Sequence, residues 1–316
     1  MARLNISIPD KLYLATNKWR GRVNLSEICA KALQRELEAL EFHRTLGTLT
    51  SSFRSHTTLE SQLLSHLGLA DTVVLESPMD HTNIREELGK LAANYLDRHL
   101  CDDSLLAIAG GRQMWCVVKN LTPKSVSVTV TGLGIDQSDP QVLHAHANTL
   151  TTLLWLLFSP RAQALVVGRN ELELHKIWRL DLPLTNHPRY FVIGSCGPFE
   201  PGCSLAGLLG TDASEVLFKR QVCGDFLYQF FDDNGEIVDA SLRQNKSILS
   251  SDILGKLCKR PDARVILVAG GPEKLKIIYF ALRAGLFNVL ITDKETARGL
   301  LSAAEQTADN SKEGRI

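Results

Sequence analysis

The run RVILVAGGPEKLKIIYFALRAGLFNVLITDKETARGLL, residues 264–301, decides the fold. Arg264–Val268 is a near-continuous apolar run that ends in the turn Ala269-Gly270-Gly271-Pro272. A helical pattern follows, and then a second apolar run, Asn288–Thr292. Strands that are apolar at successive positions are buried on both faces, as in a parallel sheet covered by helices. Toward the N-terminus, runs of the same kind recur at Val73–Leu75, Leu105–Ala109, Val126–Val130, Ala164–Val167 and Tyr190–Ile193, with helical patterns between them. From residue 59 to 305 the chain therefore reads as one mostly parallel α/β domain. The polar tail 306–316 is expected to fray.

Three of these runs end in glycine-bearing turns: AIAGGRQ (107–113), VIGSCGPF (192–199) and ILVAGGPEK (266–274). Glycine lets a backbone approach a ligand closely, and the start of the following helix favours anions. Such turns at strand ends are where open α/β sheets bind ligands. Gly110-Gly111-Arg112-Gln113 adds a fixed cation with five donors. Gly270-Gly271-Pro272-Glu273-Lys274 adds a lysine. No turn is a Walker A loop or a G-x-G-x-x-G, so a nucleotide fingerprint is absent.

The first 46 residues differ in character. Arg3-Leu-Asn-Ile-Ser-Ile8 alternates polar and apolar strictly and meets Pro9. This places Leu4, Ile6 and Ile8 on one face of a strand and Arg3, Asn5 and Ser7 on the other. A helical stretch from Pro9 to about Trp19 ends at Gly21, and Ser26 caps a second helix with Ile28, Ala32, Leu33, Leu37 and Leu40 on one side. Residues 1–22 carry Arg3, Lys11, Lys18, Arg20 and Arg22 against Asp10 alone. A strand and two short helices have too little core to fold alone. Pairing the strand with that of a second copy solves this and builds a two-stranded ribbon. Such a ribbon fits the DNA major groove, where Arg and Asn read guanine and adenine. The start of the second helix, Asn24 to Glu27, presents free N–H groups to a phosphate. Residues 47–58, rich in Ser and Thr, read as a linker.

Composition excludes other classes. In 316 residues, 35 basic side chains balance 35 acidic ones and 44% are hydrophobic, which is globular rather than disordered, collagenous or coiled coil. The longest apolar run, Leu150–Phe158, is too short to span a bilayer, and the N-terminus lacks a signal-peptide core. Seven scattered cysteines without a C-x-x-C read as buried thiols of a reducing, cytoplasmic compartment. No cofactor or metal is expected. His144-Ala145-His146 reads as helix surface, and Asp232-Asp233-Asn234-Gly235 as a turn.

Residues 3–37 resemble the ribbon-helix-helix DNA-binding domains of the MetJ/Arc type. The resemblance implies base reading by Arg3, Asn5 and Ser7 and a phosphate contact near Asn24 and Ser26. Residues 59–301 resemble the SorC-type sugar-binding domain, the effector module of SorC and DeoR-like regulators. The elements that carry it are A-G-G-x-x-K, A-L-R-x-G and V-L-I-T-D-x-x-T-A in 268–301, CGDFLYQFFDDNGE (223–236), LLAIAGGRQM (105–114) and ELGKLAANYLDRHL (87–100). That resemblance implies a Rossmann-like fold related to sugar-phosphate isomerases. It also implies an effector pocket lined by Gly110, Gly111, Arg112, Gln113, Ser195, Gly197 and Gly271, with Asp225 on sugar hydroxyls and Lys274 on a phosphate or sugar oxygen. Gln113 stands where the family carries Thr, and Cys196 where it carries Ile. The whole reads as a non-enzymatic transcriptional regulator binding operator DNA and a sugar or sugar phosphate, as a homodimer or homotetramer with no membrane association. The alternatives are a DNA-binding partition protein whose large domain only oligomerises, and a sugar-phosphate isomerase or deaminase.

Overall fold

The computed structural model describes residues 57–76, 83–134, 145–165, 184, 188–209, 211–239 and 248–313. The chain divides into two units, Met1–Phe53 and Arg54–Ile316. The ribbon, the two helices behind it and most of the linker lie outside the described residues.

Among the described residues the second unit is built on seven parallel strands. These are β1 (Asp71–Leu75), β2 (Ser104–Ala109), β3 (Val128–Leu133), β4 (Gln163–Leu165), β5 (Tyr190–Gly194), β10 (Ala263–Val268) and β11 (Val289–Asp293). Their spatial order is β1-β11-β10-β5-β2-β3-β4. Each coincides with an apolar run read from the sequence. β2, β5 and β11 are buried at every position, which explains why their residues do not alternate.

Nine helices among the described residues connect and cover the strands: α1 (Thr57–Leu67), α2 (Ile84–His99), α3 (Arg112–Val118), α4 (Ala147–Phe158), α5 (Ser204–Leu209), α6 (Thr211–Lys219), α7 (Ser251–Cys258), α8 (Leu275–Arg283) and α9 (Lys294–Glu313). α1 begins inside the stretch read as linker. α9 runs through the segment expected to fray, because a helix already nucleated against the core extends at little cost into polar residues. α2 and α3 pack closely: a side chain on Gly89 would meet the Cys116 backbone at 2.7 Å.

Between β5 and β10 the chain forms a second, antiparallel sheet: β6 (Cys196–Pro198), β7 (Val222–Phe226), β8 (Gln229–Asp232) and β9 (Ile237–Val238), in that order. β7 alternates buried and half-buried residues, the mark of a sheet with one covered face. A small core of Phe199, Leu217, Val222 and Phe230 sits beneath it. β7 and β8 meet at Leu227-Tyr228, both in the left-handed region with φ of 50° and 63°. Asp232-Asp233-Asn234-Gly235 is a turn as expected: Asp232 Oδ1 accepts the N–H groups of Asn234 and Glu236, and Gly235 has φ 85°.

Candidate ligand-binding site

The order in which the chain visits the sheet opens one crevice. From β2 it moves outward through β3 to β4. Beside β2, β5 is followed by β10 and β11, which are added on the other side. Neighbouring strands whose connections leave in opposite directions part above their carboxyl ends, and open α/β sheets bind ligands there. Two of the glycine turns leave from these two strands, and the third leaves from β10, next to β5.

The first turn is Gly110-Gly111. Gly111 has φ 116°, which side chains rarely adopt, and its N–H donates to Ala145 O at 2.7 Å. Arg112 opens α3, is exposed and makes no hydrogen bond or ion pair among the described residues. Gln113 is 5% exposed. Its Nε2 donates to Arg85 O at 2.9 Å, which fixes the amide orientation, and its buried Oε1 has no partner among the described residues. Where a threonine hydroxyl could donate, this chain presents an acceptor.

The second turn follows β5. Ser195 is half-buried, with Oγ 3.4 Å from Cys196 O. Gly197 faces open space and pairs with Asp225 across β6 and β7. Burial pushes the Asp225 carboxyl up to about 7, against the hydrogen bond its Oδ2 accepts from Tyr228 N–H at 3.1 Å. The residue nonetheless retains some solvent contact.

The third turn is Gly270-Gly271, with φ 102° at Gly271, followed by one 3-10 turn, Pro272–Lys274. Lys274 is half-buried at its end. β6 packs on this turn. Cys196 registers the convergence. Burial pushes its thiol up to about 12, and Lys274, Asp225 and Glu273 all act on it through their charges. Ser195, Gly197, Asp225, Gly271 and Lys274 thus share one neighbourhood. The turn from Gly110 to Gln113 flanks it: Ala109 Cβ lies 3.5 Å from where a side chain on Gly194 would sit. A group with hydroxyls and one anionic end matches this set of donors, two acceptors (Gln113 Oε1 and the Asp225 carboxyl) and two cations.

Other neighbours escape sequence reasoning. Leu227 and Tyr228 reach over the strand ends, Leu227 against Gly194 and Tyr228 against Gly134. His146 precedes α4 instead of lying on a helix surface, and its Nε2 is buried without a partner among the described residues. Among the described residues no His, Cys, Asp and Glu cluster is arranged to hold a metal ion. No helix among them is long and apolar enough to cross a membrane. Arg3, Asn5, Ser7, Asn24 and Ser26 lie outside the described residues.

Residues 51–156 and 190–302 match the family of sugar-binding domains known as Sugar-bind. Among characterised proteins, the chain is 27% identical over 257 residues to the deoxyribonucleoside regulator of Bacillus subtilis strain 168, covering 77% of this chain and 79% of that protein. It is 28% identical over 265 residues to the sorbitol operon regulator of Klebsiella pneumoniae, with the same coverage. The full-length sorbitol operon regulator SorC from Klebsiella pneumoniae superposes with a TM-score of 0.62 at 22% identity, over 93% of this chain and 100% of that one. A DeoR family transcriptional regulator from Listeria monocytogenes gives 0.59 at 18%, over 77% and 98%. These two likenesses concern the fold.

Proposed function

This chain belongs to the Sugar-bind family of sugar-binding domains, and from that premise we propose a DNA-binding transcriptional regulator of the SorC and DeoR type that senses a sugar or sugar phosphate. The observation that supports the reading is that three glycine turns leave the adjacent strands β2, β5 and β10 at one crevice, with Lys274 on the third and Arg112, which has no hydrogen bond or ion pair among the described residues, on the first. The regulator names of the relatives agree with it. Gly110, Gly111, Arg112, Gln113, Ser195, Gly197, Asp225, Gly271 and Lys274 are assigned to the effector.

In this reading residues 1–46 are a ribbon-helix-helix domain joined by the linker 47–58 to the sensor. Arg3, Asn5 and Ser7 of two chains read base edges, and Asn24 and Ser26 sit at phosphates. A ribbon needs two strands, so the working unit is at least a homodimer. The effector acts by binding one arrangement of the subunits more tightly than another. The protein works as a regulator, not an enzyme, in the cytoplasm with its DNA.

Two experiments test this. DNA selected from a random pool by the full chain is expected to yield one preferred sequence. Replacing Arg3 and Asn5 with Ala should cost about 1–3 kcal/mol per lost base contact and relax that preference. Unchanged selection by the double variant refutes the ribbon. Thermal shifts against sugars and sugar phosphates should find a ligand that stabilises by about 2.7 kcal/mol at a hundredfold excess over Kd. Arg112→Ala and Lys274→Ala should weaken that shift. No stabilisation across the panel favours a large domain that only oligomerises, and turnover of a sugar phosphate favours an enzyme, for which Asp225 is the available base.

A further inference from the structure

The third glycine turn is held by a helix that gives the site no side chain of its own. Gly271 N–H donates to Asp293 Oδ2 and to Thr296 Oγ1, both at 2.9 Å. Asp293 Oδ2 also accepts from Thr296 Oγ1 at 2.5 Å, while Oδ1 takes the N–H groups of Glu295 and Thr296 at 3.0 Å each. Asp293 thus caps α9 with one oxygen and anchors the Gly270-Gly271 turn with the other. Gly270 is tied to the same contact, because a side chain there would collide with Asp293 Oδ2. At the far end of the turn, Leu275 rests in the space left by Gly299 of α9, where a side chain would meet its Cδ2 at 2.7 Å. α9 therefore grips the turn on both sides of Lys274.

The same helix packs on α1. Thr58, Leu59 and Gln62 of α1 face Arg298, Leu301 and Ser302 of α9 across a shared groove. α1 is the first helix after the boundary between the two units of the chain. A rigid element held at one end by the ligand turn and at its flank by α1 carries a displacement from one to the other.

We propose that Asp293 and Thr296 are positioning residues that couple the Lys274 turn to α1 through α9, so that occupancy of the turn is felt at the helix leading to the N-terminal unit. The regulatory meaning rests on the effector reading given above, but the mechanical coupling exists without a ligand and is testable without one. Asp293→Asn is the separating variant: its Oδ1 keeps the α9 cap, while its amide N–H₂ faces Gly271 N–H and cannot accept from it. Thr296→Val removes the second acceptor, and Thr296→Ser restores it.

The measurement is amide hydrogen exchange on the full chain. Asp293→Asn and Thr296→Val should speed exchange at least tenfold in 269–275 and, in parallel, in α1, with β2 unchanged and Thr296→Ser close to the unsubstituted chain. Faster exchange confined to 269–275, or a rise of equal size in β2, overturns the coupling. Titration of ribose 5-phosphate and glucose 6-phosphate onto the same proteins forms a separate arm. Absence of binding to the unsubstituted chain counts against the effector reading and leaves the exchange result standing.

Discussion

Leu227 occupies the space that a side chain on Gly194 would need: the added Cβ would lie 2.5 Å from Leu227 Cδ2. Leu227 is 4% exposed and holds a left-handed conformation to reach this place. Leu227→Ala is expected to cost about 2–5 kcal/mol as a truncation in a packed core, and Gly194→Ala about 1–3 kcal/mol from overpacking. If the two share one volume, Gly194→Ala costs less in the Leu227→Ala background. A double-mutant cycle by urea unfolding reads this, and strict additivity contradicts it.

Asp225 makes stability depend on pH with a definite sign. Its carboxyl titrates near 7 in the fold, raised by burial from an ordinary 3.8. Between those values the folded chain holds a proton that the unfolded chain has lost, so stability falls as pH rises from about 4 to 7 and levels off above that window. Asp225→Asn removes this contribution. The variant's unfolding midpoint, set against that of the unsubstituted chain from pH 4.5 to 8, should gain steadily up to about pH 7. Parallel pH profiles count against the assignment.

At Gly89 α2 comes close to α3, with Cys116 Cβ and backbone 2.6–2.7 Å from any added carbon. The backbone cannot move aside as a side-chain tip can. Gly89→Ala is expected to destabilise by about 3 kcal/mol, the upper end of the usual cost of core overpacking. Because α2 also supplies Arg85 O to Gln113, the same substitution should disturb the first glycine turn, seen as faster amide exchange at Gly110–Gln113.

Gln113 carries a buried acceptor without a partner among the described residues. Gln113→Met removes that acceptor together with the bond to Arg85 O, and the loss of that bond should cost about 0.5–1.5 kcal/mol, partly offset because the acceptor is no longer buried. Gln113→Glu places a carboxyl in the same site and should cost more than the roughly 2 kcal/mol at which burial of an unpaired neutral polar group begins, since an ionised carboxylate is harder to bury. Chemical denaturation at pH 8 separates the two.

The parallel sheet is legible in the sequence because burial on both faces leaves no alternation to confuse, so each apolar run marks a strand. The bounds shift where glycine intervenes. The run read at Val126–Val130 becomes Val128–Leu133, since Gly132 lies tight against Ala147 and Thr151 of α4 and stays within the strand. The antiparallel sheet is not legible. β6 and β9 are very short, and the β7–β8 turn is Leu-Tyr where a sequence reader expects Asn-Gly. What makes that turn affordable is the pair of glycines, 194 and 134, that receive its side chains, and they lie far away in sequence.

The glycine turns announce themselves, because glycine directly after a buried strand is a local signal. The residues that hold them in place do not. Asp293 looks like an ordinary helix cap, and only the fold brings Gly271 within 2.9 Å of it. His146 and the Cys196 environment are likewise products of long-range pairing.

The pairing of β1 with β11 has a consequence for biosynthesis. Thr72 Oγ1 donates to Leu290 O, 218 residues further along the chain. The amino-terminal edge strand therefore leaves the ribosome long before its neighbour exists. At about 5–20 residues per second that interval is roughly 10–40 s, during which α1 and α2, both close in sequence, can cover Val74 and Leu75 while the edge of the strand stays unpaired. A chain that stops before residue 289 lacks the partner strand altogether, and the open edge of its first strand is where aggregation is expected to begin.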